Sequence, residues 1–138
     1  MPRISWVSAG VLAAWAGLFL PGVAQAETID CATQPAENDG FWLTNRYVFN
    51  VDPAARTVEV VDGLIAQVSG GPIAGKLVTY TDKQFAAAWD VLVISSTGQR
   101  TKLAFRGTYF RQLNQFQVTA KPVGYRDIFD APGNCTVK

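Results

Sequence analysis

Histidine is absent from this chain of 138 residues, and cysteine and methionine are scarce. Without histidine the sequence lacks the commonest general base, the commonest imidazole metal ligand and every Ser-His or Cys-His catalytic arrangement. The acidic residues show no spacing typical of a calcium-binding loop, and the glycines fit no phosphate-binding pattern. We therefore predict no catalytic residue, no metal site and no cofactor.

Only two cysteines are present, Cys31 and Cys135, and they lie near the two ends of residues 27–138, the part of the chain that follows an amino-terminal signal-peptide pattern described below. Two thiols in an exported protein usually pair, because the compartment beyond the inner membrane is oxidising. The sequence therefore predicts an intramolecular disulfide, which brings the first and last elements of the fold together. Once paired, these sulfurs offer no thiolate for catalysis or metal binding.

The amino-terminal segment has the pattern of a secretory signal peptide. Arg3 precedes an apolar run over residues 4–20, Pro and Gly follow at 21–22, and Ala-Gln-Ala at 24–26 fits a cleavage site. A transmembrane anchor is the alternative, but the run is at the short end of the spanning range. We predict a signal peptide over 1–26, a single β domain over 27–138, and a periplasmic or secreted location in a bacterium.

The predicted mature chain has no net charge, because removal of Arg3 leaves 11 basic and 11 acidic residues. A neutral chain has no electrostatic reason to favour nucleic acid or anionic lipid. We therefore predict no nucleic-acid partner and no stable membrane insertion after cleavage of the signal peptide.

The strongest strand pattern lies over residues 84–110 and predicts one long β-hairpin with a turn at 96–99. Apolar or small residues recur there at every second position, as in strands with one buried face. They are Phe85, Ala87, Trp89, Val91 and Val93, then Thr101, Leu103, Phe105, Gly107 and Tyr109. A helix is the alternative over 83–92, where four apolar residues also fit helical spacing, but the β-branched residues at 91, 93 and 94 favour a strand.

Further short strands are predicted at 46–51, 57–61, 64–68, 76–81 and 116–120. The Asp62-Gly63 pair is typical of a two-residue hairpin turn between the second and third of these. Residues 27–40 are interpreted as an irregular lead-in and 123–134 as a loop. The resulting fold is all-β: an antiparallel meander of about seven to eight strands forming a closed or partly open barrel, with a sandwich as second choice.

Two polar features are candidates for function. The segment 125–130 places two aromatic residues among charges and predicts a contact loop formed by Tyr125, Arg126, Asp127, Phe129 and Asp130. The alternative is that Tyr125 and Phe129 plug the end of the core. A basic stripe, Arg100, Lys102 and Arg106, is interpreted as a solvent-facing row of charges that discourages sheet pairing, with binding of an anionic ligand as the alternative.

These observations predict a small exported, non-enzymatic protein of the cell envelope that binds a protein or small ligand. One alternative is a barrel that carries a hydrophobic ligand, which requires an apolar cavity. The other is a hydrolase of envelope glycan or ester that uses two carboxylates. It requires convergence of two residues from the set Glu59, Asp90, Asp127 and Asp130.

Overall fold

A computed structural model describes residues 26–36 and 42–138 and shows a closed barrel of eight antiparallel strands. Each strand pairs with the next in sequence, and the last pairs with the first. The elements are β1 (Glu27–Thr33), β2 (Arg46–Asp52), β3 (Thr57–Val61), α1 (Gly63–Ser69), β4 (Ile73–Tyr80), β5 (Gln84–Ile94), β6 (Arg100–Phe110), β7 (Gln115–Pro122) and β8 (Phe129–Val137). The predicted all-β meander and the closed barrel are confirmed, and the sandwich is not formed. The predicted signal peptide, residues 1–26, lies outside the described residues except for its last residue, Ala26.

The long hairpin is confirmed as β5 and β6, which pair along their whole lengths from Gln84↔Phe110 to Ile94↔Arg100. The alternating residues of β5, including Phe85 and Trp89, are buried inside the barrel. Residue-by-residue pairing with β6 requires extended backbone, which is why the helical alternative over 83–92 is wrong.

The predicted strand at 64–68 is wrong, because this segment forms the helix α1. The Asp62 side chain accepts a hydrogen bond of 2.7 Å from the Ile65 N–H and caps the helix, and Gly70 ends it with a φ of 78°. Asp is a favoured N-cap residue, and Gly readily takes the left-handed conformation that ends helices. Asp62-Gly63 is therefore the start of a helix and not a hairpin turn.

The two ends of the described chain are more regular than the sequence predicts. The irregular lead-in is wrong over β1, and the loop is wrong from Phe129 onwards, where β8 begins. The two strands β1 and β8 pair with each other, from Ile29↔Val137 to Thr33↔Gly133. Pro132 lies within the β7–β8 pairing, opposite Gln117, but its carbonyl accepts a hydrogen bond from the Gln34 N–H and so faces the β1 side. The β1–β8 pairing ends one residue away, at Gly133, and the missing N–H of Pro132 therefore costs no ladder bond.

The predicted disulfide is confirmed. Cys31 and Cys135 stand directly opposite each other in the β1–β8 pairing, with an S–S distance of 2.02 Å. The bond therefore joins the two strands whose pairing closes the barrel.

Aromatic side chains packed around Phe49 fill the interior. The ring centroid of Phe49 lies 5.1 Å from that of Phe85, 5.4 Å from Trp89 and 5.9 Å from Phe116. Gly107 faces this cluster, and a β-carbon there would come within 3.0 Å of the Phe116 ring. The glycine thus leaves room for the rings to pack at the density of a protein interior.

A barrel that carries a hydrophobic ligand needs an empty apolar interior. Here four large aromatic side chains are buried and fill the interior that such a ligand would need: Phe49, Trp89, Phe105 and Phe116. Trp89 and Phe105 stack with centroids 5.5 Å apart and planes only 4° from parallel. This packing counts against the carrier alternative. Of the described residues, none form a helix of the length and apolar character needed to cross a bilayer.

Candidate binding surface

The two open ends of the barrel, its mouths, differ in what they carry. In an antiparallel meander, alternate connections lie at opposite ends. We call the end that carries the described residues 34–36 and 42–45 and the connections 62–72, 95–99 and 123–128 the helix-side mouth, because α1 lies there. The other end, the terminal mouth, carries the connections 53–56, 81–83 and 111–114 together with the first residue of β1 and the last residue of β8.

Exposed apolar side chains are concentrated at the helix-side mouth. Among the described residues, the large exposed ones at this end are Val68, Leu92, Ile94, Val123, Tyr125 and Ile128. Those near the terminal mouth are Phe110, Leu113 and Val137. Single exposed apolar residues are ordinary, whereas a cluster at one end of a small domain is typical of an interaction surface.

An open groove of about 620 Å³ lies at this mouth between α1 and the end of β5, and we call it the α1–β5 groove. Its lining residues are Trp42, Leu64, Gln67, Val68, Leu92, Val93, Ile94 and Ser95. The groove exists because β4 pairs with β5 only as far as Lys76↔Ala88, whereas β5 continues to Ile94 beside β6. The helix stands beside the part of β5 that β4 leaves uncovered.

A partly buried polar network links α1 to Thr44 of the β1–β2 connection. The hydroxyl of Thr44 donates a hydrogen bond of 2.7 Å to the carboxylate of Asp62, and the hydroxyl of Thr33 donates to the Thr44 carbonyl. Burial raises the pKa of Asp62, against the lowering effect of its hydrogen bonds from Ile65, Thr44 and Leu64. This role of Asp62 was not predicted from the sequence, because the Asp62-Gly63 pair also fits a hairpin turn. An N-cap residue followed by apolar residues at helical spacing was the available signal.

Tyr47 extends this network into the core. Its hydroxyl accepts a hydrogen bond of 3.1 Å from the backbone N–H of Thr44, and its ring is fully buried. Desolvation is the largest cause that raises the pKa of Tyr47, to about 12. The ionised phenolate is disfavoured there because the apolar interior cannot solvate it.

We expect Tyr47 to make the fold sensitive to alkali. Its native pKa is above the value near 10 of an unfolded tyrosine, so its contribution is complete below pH 10 and is lost as pH rises towards about 12. Two pKa units correspond to a loss of about 2.7 kcal/mol in the free energy of unfolding. Urea unfolding of wild type and Tyr47→Phe between pH 9 and 12 measures this, with Tyr125→Phe as the exposed control. Equal alkaline losses in wild type and Tyr47→Phe would contradict it.

Basic side chains flank the groove on the outer face of the hairpin. Ile94 pairs with Arg100 and Leu92 pairs with Lys102, so each exposed apolar residue of β5 has a cation beside it on β6. The Lys102 ammonium lies 3.6 Å from the carboxylate of Asp90, and both side chains are more than half exposed. The predicted basic stripe does face solvent: Arg100, Lys102 and Arg106 are all exposed.

The predicted contact loop lies at the same mouth, in the connection from β7 to β8. Tyr125 is 51% exposed, and its hydroxyl accepts a hydrogen bond of 3.3 Å from the Gln99 amide of the hairpin turn. Phe129 begins β8 and packs against the core, so the plug interpretation fits Phe129 and does not fit Tyr125. The charged members are exposed: Arg126, Asp127 and Asp130. Binding by this loop stays a prediction.

The four carboxylates proposed for hydrolysis are all exposed: Glu59, Asp90, Asp127 and Asp130. A catalytic carboxylic acid is usually sheltered from water, because burial is what raises its pKa. Asp62 has such an environment, but hydrogen bonds occupy both of its oxygens. Within residues 26–36 and 42–138, no three potential ligands among His, Cys, Asp and Glu stand close enough to hold a metal ion.

Comparison of the chain with models of protein families, with curated proteins and with solved structures finds no match. A barrel fold alone is compatible with many unrelated activities. A function for this chain therefore has to come from its own surface chemistry.

Proposed function

We propose that the chain is a small exported, non-enzymatic protein of the cell envelope that binds a partner protein at its helix-side mouth. The signal-peptide pattern and the disulfide support export, because disulfides persist in oxidising compartments. Because buried side chains fill the interior, a partner makes contact at the outer surface, on the mouths or the outer faces of the strands.

The observation that carries this proposal is the cluster of exposed apolar side chains at one mouth, centred on the α1–β5 groove. Apolar surface exposed to water costs about 25 cal/mol for each Å² that could be buried. A partner that covers Leu92, Ile94 and Val68 recovers this free energy. Surrounding charges such as Arg100 then form the polar rim that protein interfaces commonly have.

A protein fits this surface better than a small molecule does. Small-ligand sites usually enclose most of their ligand within a concave pocket. The α1–β5 groove is open, with α1 on one side and the end of β5 on the other. The exposed apolar residues also continue beyond it to Val123, Tyr125 and Ile128.

The test is comparative capture from an envelope extract by protein attached through its carboxyl end, which lies at the terminal mouth. Leu92→Lys places a charge in the groove at a side chain that is 46% exposed. Leu113→Lys makes the same change at the opposite mouth, where the side chain is 67% exposed. We expect wild type and Leu113→Lys to retain the same partner, and Leu92→Lys to retain less than about a tenth of it, since hot-spot changes cost 2 kcal/mol or more.

Mass spectrometry identifies and quantifies the retained proteins, and circular dichroism confirms that both variants are folded. Equal retention of every captured protein by Leu92→Lys and Leu113→Lys would contradict binding at the helix-side mouth.

A further inference from the structure

We infer that the partner, whose existence rests on the proposed function, docks as an extended segment that adds a strand to the free edge of β5 in the α1–β5 groove. The segment carries apolar residues at alternate positions and acidic residues between them. Strand addition at an exposed sheet edge is a recurring mode of peptide recognition, in which main-chain hydrogen bonds supply affinity and side-chain pockets supply specificity.

The free edge follows from the strand registers. The pairing of β4 with β5 ends at Lys76↔Ala88, whereas β5 stays paired with β6 to Ile94. Gly75 of β4 still lies against Ala88 and Trp89, so the stretch of β5 that has a strand neighbour on one side only runs from Asp90 to Ile94. Unpaired N–H and C=O groups along a strand are a template for another chain.

The direction of the free groups can be read from the hairpin. The Ser95 N–H donates to the Gln99 carbonyl, so the peptide groups of odd-numbered residues in β5 point towards β6. Those of Asp90, Leu92 and Ile94 point the opposite way, towards the α1–β5 groove. Three residues with outward-facing groups are enough to pair with a short added strand.

The helix beside this edge does not satisfy it. An α-helix bonds its own backbone groups internally, and the ends of α1 are capped by Asp62 and by the Gly70 N–H, which donates to the Ala66 carbonyl. What α1 contributes is apolar lining, through Leu64 and Val68. The groove thus combines a hydrogen-bonding edge with apolar walls, which suits alternate side chains of an extended segment.

The charges beside the free edge of β5 indicate which residues the partner segment carries. The sequence of α1 contains no charged residue, and the cations Arg100 and Lys102 lie one strand away from the free edge. Asp90 is the one acid on this part of β5, and it pairs with Lys102. The flank is therefore net positive and complements acidic residues in the partner. A second copy of this chain fits less well, because its own free edge is also recessed beside a helix and flanked by the same cations.

The first experiment selects random nine-residue peptides displayed on phage against the exported protein. We expect the enriched peptides to alternate apolar and acidic residues. Leu92→Pro removes one N–H of the free edge and leaves the β5–β6 ladder intact, while Leu92→Thr keeps the N–H and shortens the side chain. We expect the enriched peptides to bind Leu92→Pro at least about tenfold more weakly than Leu92→Thr, because a proline cannot donate to an added strand.

The second experiment leaves the protein unchanged. The best peptide is synthesised in two forms, N-methylated at the even or at the odd positions. We expect one form to lose at least about tenfold in affinity and the other to bind within about threefold of the parent, because only one edge of an added strand faces β5.

Several outcomes would overturn strand addition while leaving docking at the mouth intact. These are the absence of enrichment, enriched peptides with helical spacing, and equal effects of the two N-methylated forms. A dimer in sedimentation equilibrium that Leu92→Pro dissociates would assign the edge to a second copy and would also overturn it. Equal capture of every partner by Leu92→Lys and Leu113→Lys would overturn the proposed function itself. Failure of strand addition and failure of the proposed function are therefore distinguishable.

Discussion

Replacing both Cys31 and Cys135 with alanine is expected to lower the free energy of unfolding by up to about 4.7 kcal/mol. The two residues are 104 positions apart in sequence, so the bond closes a loop of about 100 residues. In the chain-entropy model, a loop of this length restricts the unfolded chain strongly, and its loss restores that freedom. Alanine is preferred to serine because both positions are buried and a hydroxyl there would lack water.

Urea unfolding of the oxidised wild type and of the double variant measures this effect. Wild type treated with a thiol reductant is the matched control, because it removes the same bond without any change in sequence. We expect the two forms to lose similar amounts. A loss below about 1 kcal/mol in both would show that the bond does not constrain the unfolded chain as the entropy model requires.

Replacing Phe49 with alanine is expected to lower the free energy of unfolding by about 3 to 5 kcal/mol. Its ring lies at the centre of the aromatic cluster, against Phe85, Trp89 and Phe116. Removal of this ring loses its transfer free energy and leaves a cavity that rigid strands can only partly collapse.

The matched control is Phe110→Ala, which removes the same ring from a position that is 41% exposed at the end of β6. We expect that control to cost less than about 1 kcal/mol, as surface substitutions usually do. Chemical denaturation of the two variants beside wild type gives the comparison. Similar losses in both would contradict a core organised around Phe49.

The central part of the fold was predictable because its signals are local. Apolar residues such as Trp89 and Phe105 lie at every second position along both arms of the hairpin. This strand pattern is longer than the helical spacing that is also present in β5. The disulfide was predictable from the cysteine count and from the signal-peptide pattern. Both inferences depend on residues close in sequence or on the number of thiols, and neither needs knowledge of tertiary contacts.

The elements that the sequence did not predict depend on distant partners. In sequence, Asp62 fits a hairpin turn as well as a helix N-cap. In the folded chain it caps α1 and also accepts a hydrogen bond from Thr44, which lies 18 residues earlier. β1 and β8 lack a regular apolar alternation in sequence, and each pairs with the strand at the other end of the described chain. Local propensity cannot register a partner about 100 residues away.

Only part of the candidate site was predictable, because a sequence shows local patterns and does not show which distant segments meet. The loop around Tyr125 stands out in sequence because its aromatic residues lie among charges. The α1–β5 groove does not, because Trp42, Leu64 and Leu92 are far apart and two of them lie in segments interpreted as strands. Their meeting depends on where β4 stops pairing with β5, which is a property of the folded sheet.

The seam between β1 and β8 has a consequence for the order of assembly. Every other ladder among the described strands joins consecutive segments and can form while the chain is still emerging, whereas this one needs the first and last segments together. Until the final residues arrive, the growing sheet has two unprotected borders that invite pairing with other molecules. Oxidation of the thiols then holds the closed barrel together, so we expect cells with impaired disulfide formation to contain a larger aggregated fraction of this protein.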